Sequence, residues 1–316
     1  MTDQTVDRPV ESAQAAFDRC SEDVRLRARN FWYGLRLLPP DRFKALCAIY
    51  AWMRRADDLA DEETDEVSPE QRLATLEVFR ARTHELFAGT LDGDAADVPE
   101  DETHIWLAMK QVLESHELDP RDFESMIDGQ VADLTPRSIT DLTDLTTYCD
   151  QVASTVGRTC VRVWGAASEE ALEMASQRGI AFQITNILRD IREDHGRGRV
   201  YLPADLLTEH GVDVAMILNW TDPQRCTRLV HALTDIAREG YSRSKSLESL
   251  LQPECRPTSW AMTTIYRSLL EKIAHRPRLL GSTNRIRLSS LRKAAIALRA
   301  RRFAWYGLGE RGEVLK

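Results

Sequence analysis

Apolar residues recur at three- and four-residue spacings almost from end to end of this chain, and two-residue alternation is nearly absent. That pattern builds amphipathic helices and leaves little from which to make a sheet. It predicts helices over 13–36, 41–61, 69–88, 102–116, 120–132, 141–164, 168–194, 222–250, 258–274 and 288–305. Turn chemistry marks the breaks at Leu38-Pro39-Pro40-Asp41, Asp92-Gly93 to Pro99, Leu134-Thr135-Pro136 and His195-Gly196-Arg197-Gly198. There is no repeat period and no linker long enough to separate a pair of domains. The simplest organisation is a polar, frayed tail over 1–12 and a single all-α domain over 13–316. So many helices exceed a plain four-helix bundle, so they must enclose something.

Composition narrows the function classes. A chain of 316 residues can bury a large core, and Gly 15 with Pro 12 is too little for a loop-rich sandwich or a disordered protein. A net charge of −8 argues against a nucleic-acid coat. The longest apolar run, Ala45 to Met53, is half of the roughly 18 residues that a spanning helix needs. Met1 to Gln4 lack the basic and apolar regions of a signal peptide, so a soluble, cytoplasmic protein is expected. None of the six cysteines falls in a C-x-x-C pair, which points to reduced, buried thiols without a zinc site or disulfide framework.

Charge is unevenly placed. Seven of the ten residues from Asp57 to Glu66 are acidic, and ten Lys or Arg with no Asp or Glu lie between Lys272 and Gly309. A solvated face explains most such runs. Here, however, Asp57 and Asp61 continue a helical stripe through Phe43, Cys47, Tyr50 and Arg54 that should point inward. Asp190 and Asp194 repeat the four-residue spacing, with Gln183 and Asn186 upstream on the same face of an apolar stretch. Carboxylates on buried faces call for cations. Two facing pairs of hard oxygen ligands suit Mg²⁺, which takes few carboxylates and shares its other positions with water and phosphate oxygens. Arg54 and Arg189 beside them can meet the same phosphates through bidentate hydrogen bonds.

These residues resemble the squalene/phytoene synthase family of head-to-head isoprenoid condensing enzymes. Tyr50-Ala-x-x-Arg54-x-x-Asp57-Asp58-x-x-Asp61 is similar to the family's first aspartate-rich motif. Gln183-x-x-Asn186-Ile187-Leu188-Arg189-Asp190-x-x-x-Asp194, followed by Arg197-x-Arg199-Val200-Tyr201-Leu202-Pro203, resembles the second. Tyr148-Cys149-Asp150-x-Val152-Ala153-Ser154-x-Val156-Gly157 looks like the central helix motif, and the likeness runs from about residue 15 to residue 300.

The resemblance implies an all-α, isoprenoid-synthase-type helical bundle around a central cavity that binds two prenyl diphosphates with Mg²⁺. It implies metal and diphosphate ligands at Asp57, Asp61, Asp190 and Asp194. It further implies substrate contacts from Arg27, Asn30, Tyr50, Arg54, Gln183, Asn186, Arg189, Tyr266 and a basic residue such as Arg285 or Lys293. Phe31, Tyr33, Phe182 and Trp164 are candidates for a dry cavity wall, since water would quench a carbocation. The implied route joins the substrates through a cyclopropyl intermediate, presqualene diphosphate.

Asp150-Gln151 and Val161-Arg162-Val163-Trp164-Gly165 look most like bacterial squalene or presqualene-diphosphate synthases, because many phytoene synthases have an aromatic residue at Asp150. Two farnesyl diphosphates are therefore the expected substrates. The alternative is a phytoene synthase using geranylgeranyl diphosphate. A head-to-tail elongase fits less well, since Asp190 is followed by Ile191. A non-catalytic homologue acting as an assembly factor would not need both aspartate pairs. Squalene as product would require NADPH, yet no Gly-rich dinucleotide fingerprint supports such a site. The basic, amphipathic stretch Leu291 to Trp305 has two readings. The plainer is a final packing helix with a solvated basic face; the other is peripheral contact with an anionic membrane.

Overall fold

The computed structural model describes residues 12–28, 31–61, 67–91, 98–135 and 138–306, without the side chains of Asp61 and residues 303–306. The expected tail over 1–12 therefore lies outside the described residues apart from Ser12, which caps the first helix. Helix α1 (Ala13–Arg27) is followed by the single turn α2 (Trp32–Leu35), α3 (Pro40–Asp61) and α4 (Pro69–Ala88). Next come α5 (Thr103–Ser115), α6 (Pro120–Ala132) and α7 (Leu142–Cys149). A π-helical turn, Asp150–Ser154, runs directly into α8 (Thr155–Val163). The long α9 (Glu169–Gly196) precedes α10 (Ala204–His210), α11 (Val214–Asn219) and α12 (Pro223–Arg243). The chain closes with α13 (Leu247–Leu250), α14 (Arg256–His275) and α15 (Ser290–Tyr306). Among the described residues there is no strand, only an isolated bridge between Ser138 and Val200.

Local chemistry explains the ends. Ser68 and Gln71 form a reciprocal capping box at α4, and Asp119, Asp141, Ser168, Asp213 and Asp222 each accept a backbone N–H at the start of a helix. Three expected helices are subdivided. The one over 13–36 ends at Arg27, where the Ala28 N–H bonds Val24 and α2 restarts four residues later. The one over 141–164 contains the π turn, and the one over 222–250 stops at Arg243 before α13. α10 and α11, of seven and six residues, are too short for periodicity to mark them.

The core forms two clusters that meet along α9. In one, Trp52 is centred 5.3 Å from Phe79 and 4.8 Å from Phe123, and Phe79 lies 4.9 Å from Trp106. The other packs α9 against α12 and α14 through residues such as Ile184, Leu188, Leu229, Leu233, Ile265 and Leu269. Phe31 and Phe182 touch both clusters. Burying such rings stabilises the fold strongly; truncating one to Ala typically costs about 3–5 kcal/mol.

Two glycines set how closely the central helix approaches α9. A Cβ on Gly179 would stand 2.7 Å from the Ala153 carbonyl oxygen, and one on Gly157 would stand 2.8 Å from that of Ala175. Their absence lets the π turn and α8 lie directly on α9. Val152, Ala153, Val156 and Gly157 thereby become one wall of an interior cavity.

Candidate active site

The cavity, about 310 Å³, is bounded mainly by residues of α3, α9, the π turn with α8, and α14. On α3 the stripe runs from Leu46 through Ile49, Tyr50 and Met53 to Arg54 and Asp57. On α9 it runs from Ala175 and Arg178 through Gly179 and Phe182 to Gln183 and Asn186. The π turn with α8, and α14 from Ser259 to Tyr266, supply two more walls, and Phe31, Leu35, Met126, Gln130 and Leu247 complete the lining. Both helical stripes are polar at one end, so Arg54, Asp57, Gln183, Asn186 and Tyr266 share the mouth of an apolar hole. Of the expected wall residues, Phe31, Phe182 and Trp164 line it. Tyr33 instead packs in the second cluster, with the Lys293 ammonium 5.5 Å from its ring centre, so the expectation of a cavity role for Tyr33 is corrected.

At the first aspartate motif, Arg54 bonds Asp57 at 2.5 Å and Asp58 at 2.6 Å. Arg27 comes from the end of α1 to bond Asp58 as well, which puts that arginine beside the motif. Burial works against the Arg54 charge, but Asp57 and Asp58 outweigh it and raise its pKa. The Tyr50 hydroxyl, buried one turn earlier, is pushed up to about 12 and stays protonated. Asn30 and the Asp61 side chain lie outside the described residues.

The second motif is tied to α14 and to the segment before α15. The Asn186 amide nitrogen donates to the Gln183 oxygen at 3.2 Å. Burial raises the pKa of the Tyr266 hydroxyl against the opposing pull of nearby Arg189 and Asn186, and Phe182 stacks on its ring at 4.3 Å. Arg189 Nε donates to Asp190 Oδ1 at 2.8 Å, and Arg285 grips both carboxylate oxygens of Asp190 at 2.8 Å. Burial pushes the Asp190 carboxyl up, but these two guanidinium groups outweigh it and hold it below the usual range. Asp194 behaves oppositely: burial, then Asp190 and Glu193, push its carboxyl up to about 7.

Sequence reading missed Arg192. Its guanidinium donates to the carbonyls of Leu218 at 2.7 Å, Gly281 at 2.8 Å and Ser282 at 3.1 Å, and so fastens the segment that delivers Arg285. No pattern marks such a residue, because its partners are backbone atoms distant in sequence. The surroundings of Asp150 were also not legible in the sequence. It pairs with Arg158 at 2.8 Å, alongside Asp122, and does not line the cavity. All six cysteines are free thiols, as expected.

The donor chemistry fits a small hard cation. The Asn186 side-chain oxygen is buried without a hydrogen-bond partner, and burial with mutual repulsion keeps Asp194 from ionising freely. Among the described residues no three acidic, His or Cys side chains converge as a ready-made metal cage. A cation held there would have to complete its shell with water and phosphate oxygens.

The comparisons with known proteins agree with this architecture. A family model for squalene/phytoene synthase matches residues 24–292. The chain is 34% identical over 286 residues to the phytoene synthase of Mycobacterium tuberculosis, covering 89% of each chain. It is 31% identical over 278 residues to the 15-cis-phytoene synthase of Synechococcus elongatus, covering 84% of this chain and 86% of that one. Among solved structures, a dehydrosqualene synthase matches with a TM-score of 0.79 at 25% identity, over 92% of this chain and 97% of that one. A squalene synthase of Alicyclobacillus acidocaldarius has the same fold, with a TM-score of 0.73 at 23% identity, over 84% of this chain and 95% of that one. The architecture is therefore the all-α isoprenoid-synthase type, a fold of prenyltransferases. Within it, the chain belongs to the squalene/phytoene synthase family, whose members condense prenyl units head to head.

Proposed function

We propose that this protein joins two prenyl diphosphates head to head, with Asp57, Asp61, Asp190 and Asp194 holding Mg²⁺ and the diphosphates. The observation behind this is the mouth of the cavity, to which α3 brings Arg54 and Asp57 and α9 brings Gln183 and Asn186. Arg27, Asn30, Tyr50, Arg54, Gln183, Asn186, Arg189, Tyr266 and Arg285 are the proposed substrate contacts. Bound Mg²⁺ supplies positive charge to the diphosphate as it departs. Arg54, Arg189 and Arg285, each now paired with a carboxylate, offer bidentate donors to the same oxygens. The apolar walls keep water from the allylic cation while the second chain's double bond attacks it.

Geranylgeranyl diphosphate, giving a phytoene-type product without NADPH, is the reading the relatives favour. The mycobacterial and cyanobacterial relatives, at 34% and 31% identity, are phytoene synthases. The expected preference for farnesyl diphosphate rested on Asp150-Gln151 and on Val161 to Gly165; of these, Asp150 pairs with Arg158 and does not line the cavity, whereas Val161 and Trp164 do. Farnesyl condensation to presqualene diphosphate, and to squalene with NADPH, is the second reading, supported by the likeness to a dehydrosqualene synthase. Incubation with each diphosphate and Mg²⁺, with and without NADPH, followed by identification of the lipids, tests both. No condensed C30 or C40 product from either substrate would refute the proposal.

Contact with lipid also belongs to this reading. No helix among the described residues is long and apolar enough to cross a membrane. α15 packs inward through Lys293, Ile296 and Ala300, in keeping with a packing helix, while Leu291 and Leu298 are exposed on its outer side among arginines. That outer side suits an anionic membrane surface.

A further inference from the structure

Away from the charged mouth, eight residues back along α9 from Asn186, the cavity wall carries a buried ion pair. Arg178 lines the cavity from α9, and its guanidinium bonds both carboxylate oxygens of Glu248 on α13, one at 3.2 Å and the other more closely. It also donates to Ser259 Oγ at 2.9 Å, to Ser244 Oγ at 3.3 Å and to the Ser244 carbonyl. Ser259, itself on the cavity wall, donates to Glu248 at 2.8 Å. The side chains of Arg178 and Glu248 are only 7% and 14% exposed. The pair thus fastens α9, the turn after α12, α13 and α14 around one end of the hole, among Trp164, Ala175, Leu247 and Met262.

We propose that the Arg178–Glu248 pair is the stop that sets how long a prenyl chain this cavity accepts; the idea rests on the prenyl diphosphate reading. Length is the first argument. At 1.5 Å per residue along α9, the lining stripe from Asn186 to Ala175 spans roughly 16 Å, and Arg178 stands roughly 12 Å from the mouth. With C–C bonds near 1.5 Å, an extended farnesyl chain measures roughly 14 Å and a geranylgeranyl chain roughly 19 Å. The pair therefore stands at the depth reached by the third isoprene unit, and a fourth unit must pass it toward Ala175.

Rigidity is the second argument. An apolar side chain at that depth could change rotamer to make room. Arg178 cannot do so cheaply, because swinging away would leave Glu248 buried without its cation and Ser259 without its donor. A methyl-branched tail offers no hydrogen bond in return. A fourth isoprene unit must therefore bend around the pair.

The test replaces both charges at once, because Arg178→Leu alone would strand Glu248. In the R178L/E248L double variant, kcat/KM for geranylgeranyl diphosphate relative to farnesyl diphosphate is expected to rise roughly tenfold or more, the scale set by added apolar contacts in a pocket. The change should lie mainly in KM, and the affinity for inorganic diphosphate with Mg²⁺ should stay within about twofold, since the mouth is untouched. An unchanged or lowered ratio in the folded variant overturns the proposal. If the double variant does not fold, R178K replaces it. That change keeps the charge but withdraws the planar fork, so the same ratio must rise, and no rise again overturns the proposal. Dissociation constants for unreactive thio-analogues of the two diphosphates are measured in parallel. Their ratio reports on the stop even if wild-type protein turns over neither substrate, an outcome that would refute the condensation reading alone.

Discussion

Arg285 crosses 95 residues of sequence to grip Asp190, its Nε and Nη2 each 2.8 Å from one carboxylate oxygen. With Arg189 on the other side, Asp190 is neutralised by two cations in a position where the proposed reaction needs a metal ligand. Arrival of a metal-bound diphosphate would let both arginines exchange the carboxylate for phosphate oxygens. Arg285→Met should therefore lower kcat/KM by about ten- to a hundredfold, the range for loss of a charge-stabilising donor or slightly below it. Arg192→Met, which only unfastens the segment carrying Arg285, should produce a smaller loss in the same direction. Steady-state kinetics on both variants checks the order, and an Arg285 variant with wild-type kcat/KM would remove this residue from the site.

Asp57 and Asp190 stand on opposite helices of the mouth, and both pair with arginines there. Asp57→Asn and Asp190→Asn should each reduce turnover by about 10³-fold, since a lost metal ligand weakens stabilisation of the leaving diphosphate. Circular dichroism should stay unchanged, because Asp57 is more than a third exposed and Arg285 can turn to solvent. Near-normal turnover in both variants would defeat the metal assignment.

Metal identity gives a separate check. Activity should vanish in chelator, return with Mg²⁺ and fail to return with Ca²⁺. The site offers few protein oxygens and relies on water and diphosphate, which a compact octahedral ion accepts, whereas Ca²⁺ seeks about six to eight looser ligands. Equal rates with Ca²⁺ would mean that the ion only neutralises charge.

Stability hinges on the closeness of α9 to the π turn. Gly179→Ala would press a methyl group into the Ala153 carbonyl and the Ser154 backbone, both 2.7 Å from the ideal Cβ position. Backbone cannot yield as a flexible side chain can, so a loss of about 1–3 kcal/mol is expected, read as a lower denaturation midpoint. Gly89→Ala, at a positive φ of 71° with nothing within 4 Å, tests a different mechanism and should lose stability through backbone strain alone.

Helical periodicity made the fold class legible, because nearly every long helix presents its apolar stripe to a neighbour. Spacing likewise placed Asp57, Gln183 and Asn186 on inward faces, where the structure has them lining or rimming the cavity. What periodicity could not supply was depth and direction. Arg178 reads as one more charged residue on a helix, yet its partners Ser244, Glu248 and Ser259 come from three later segments. The surroundings of Asp150 were equally hidden. Its place in a recognisable motif marked a likeness within the family, but not its salt bridge to Arg158, two turns on. The π turn that begins at Asp150 is equally silent in sequence, since it changes one hydrogen-bond register and no side-chain pattern.

The outer side of α15 yields the last prediction. Leu291 and Leu298 are 84% and 63% exposed, seven residues apart and so on one side of the helix. Arg292, Arg299, Arg301 and Arg302 are exposed beside them. Exposed leucines among arginines gain little from water but can enter a headgroup layer, while each nearby basic residue adds about 1 kcal/mol of attraction to an anionic surface. The protein should therefore sediment with vesicles containing phosphatidylserine, bind neutral phosphatidylcholine vesicles weakly, and detach as salt shortens the electrostatic range. L291E/L298E, which leaves the inward face of Ile296 and Ala300 alone, should abolish sedimentation without altering turnover of detergent-dispersed substrate. Equal partitioning of wild type and variant would leave α15 as a packing helix whose basic side faces only water.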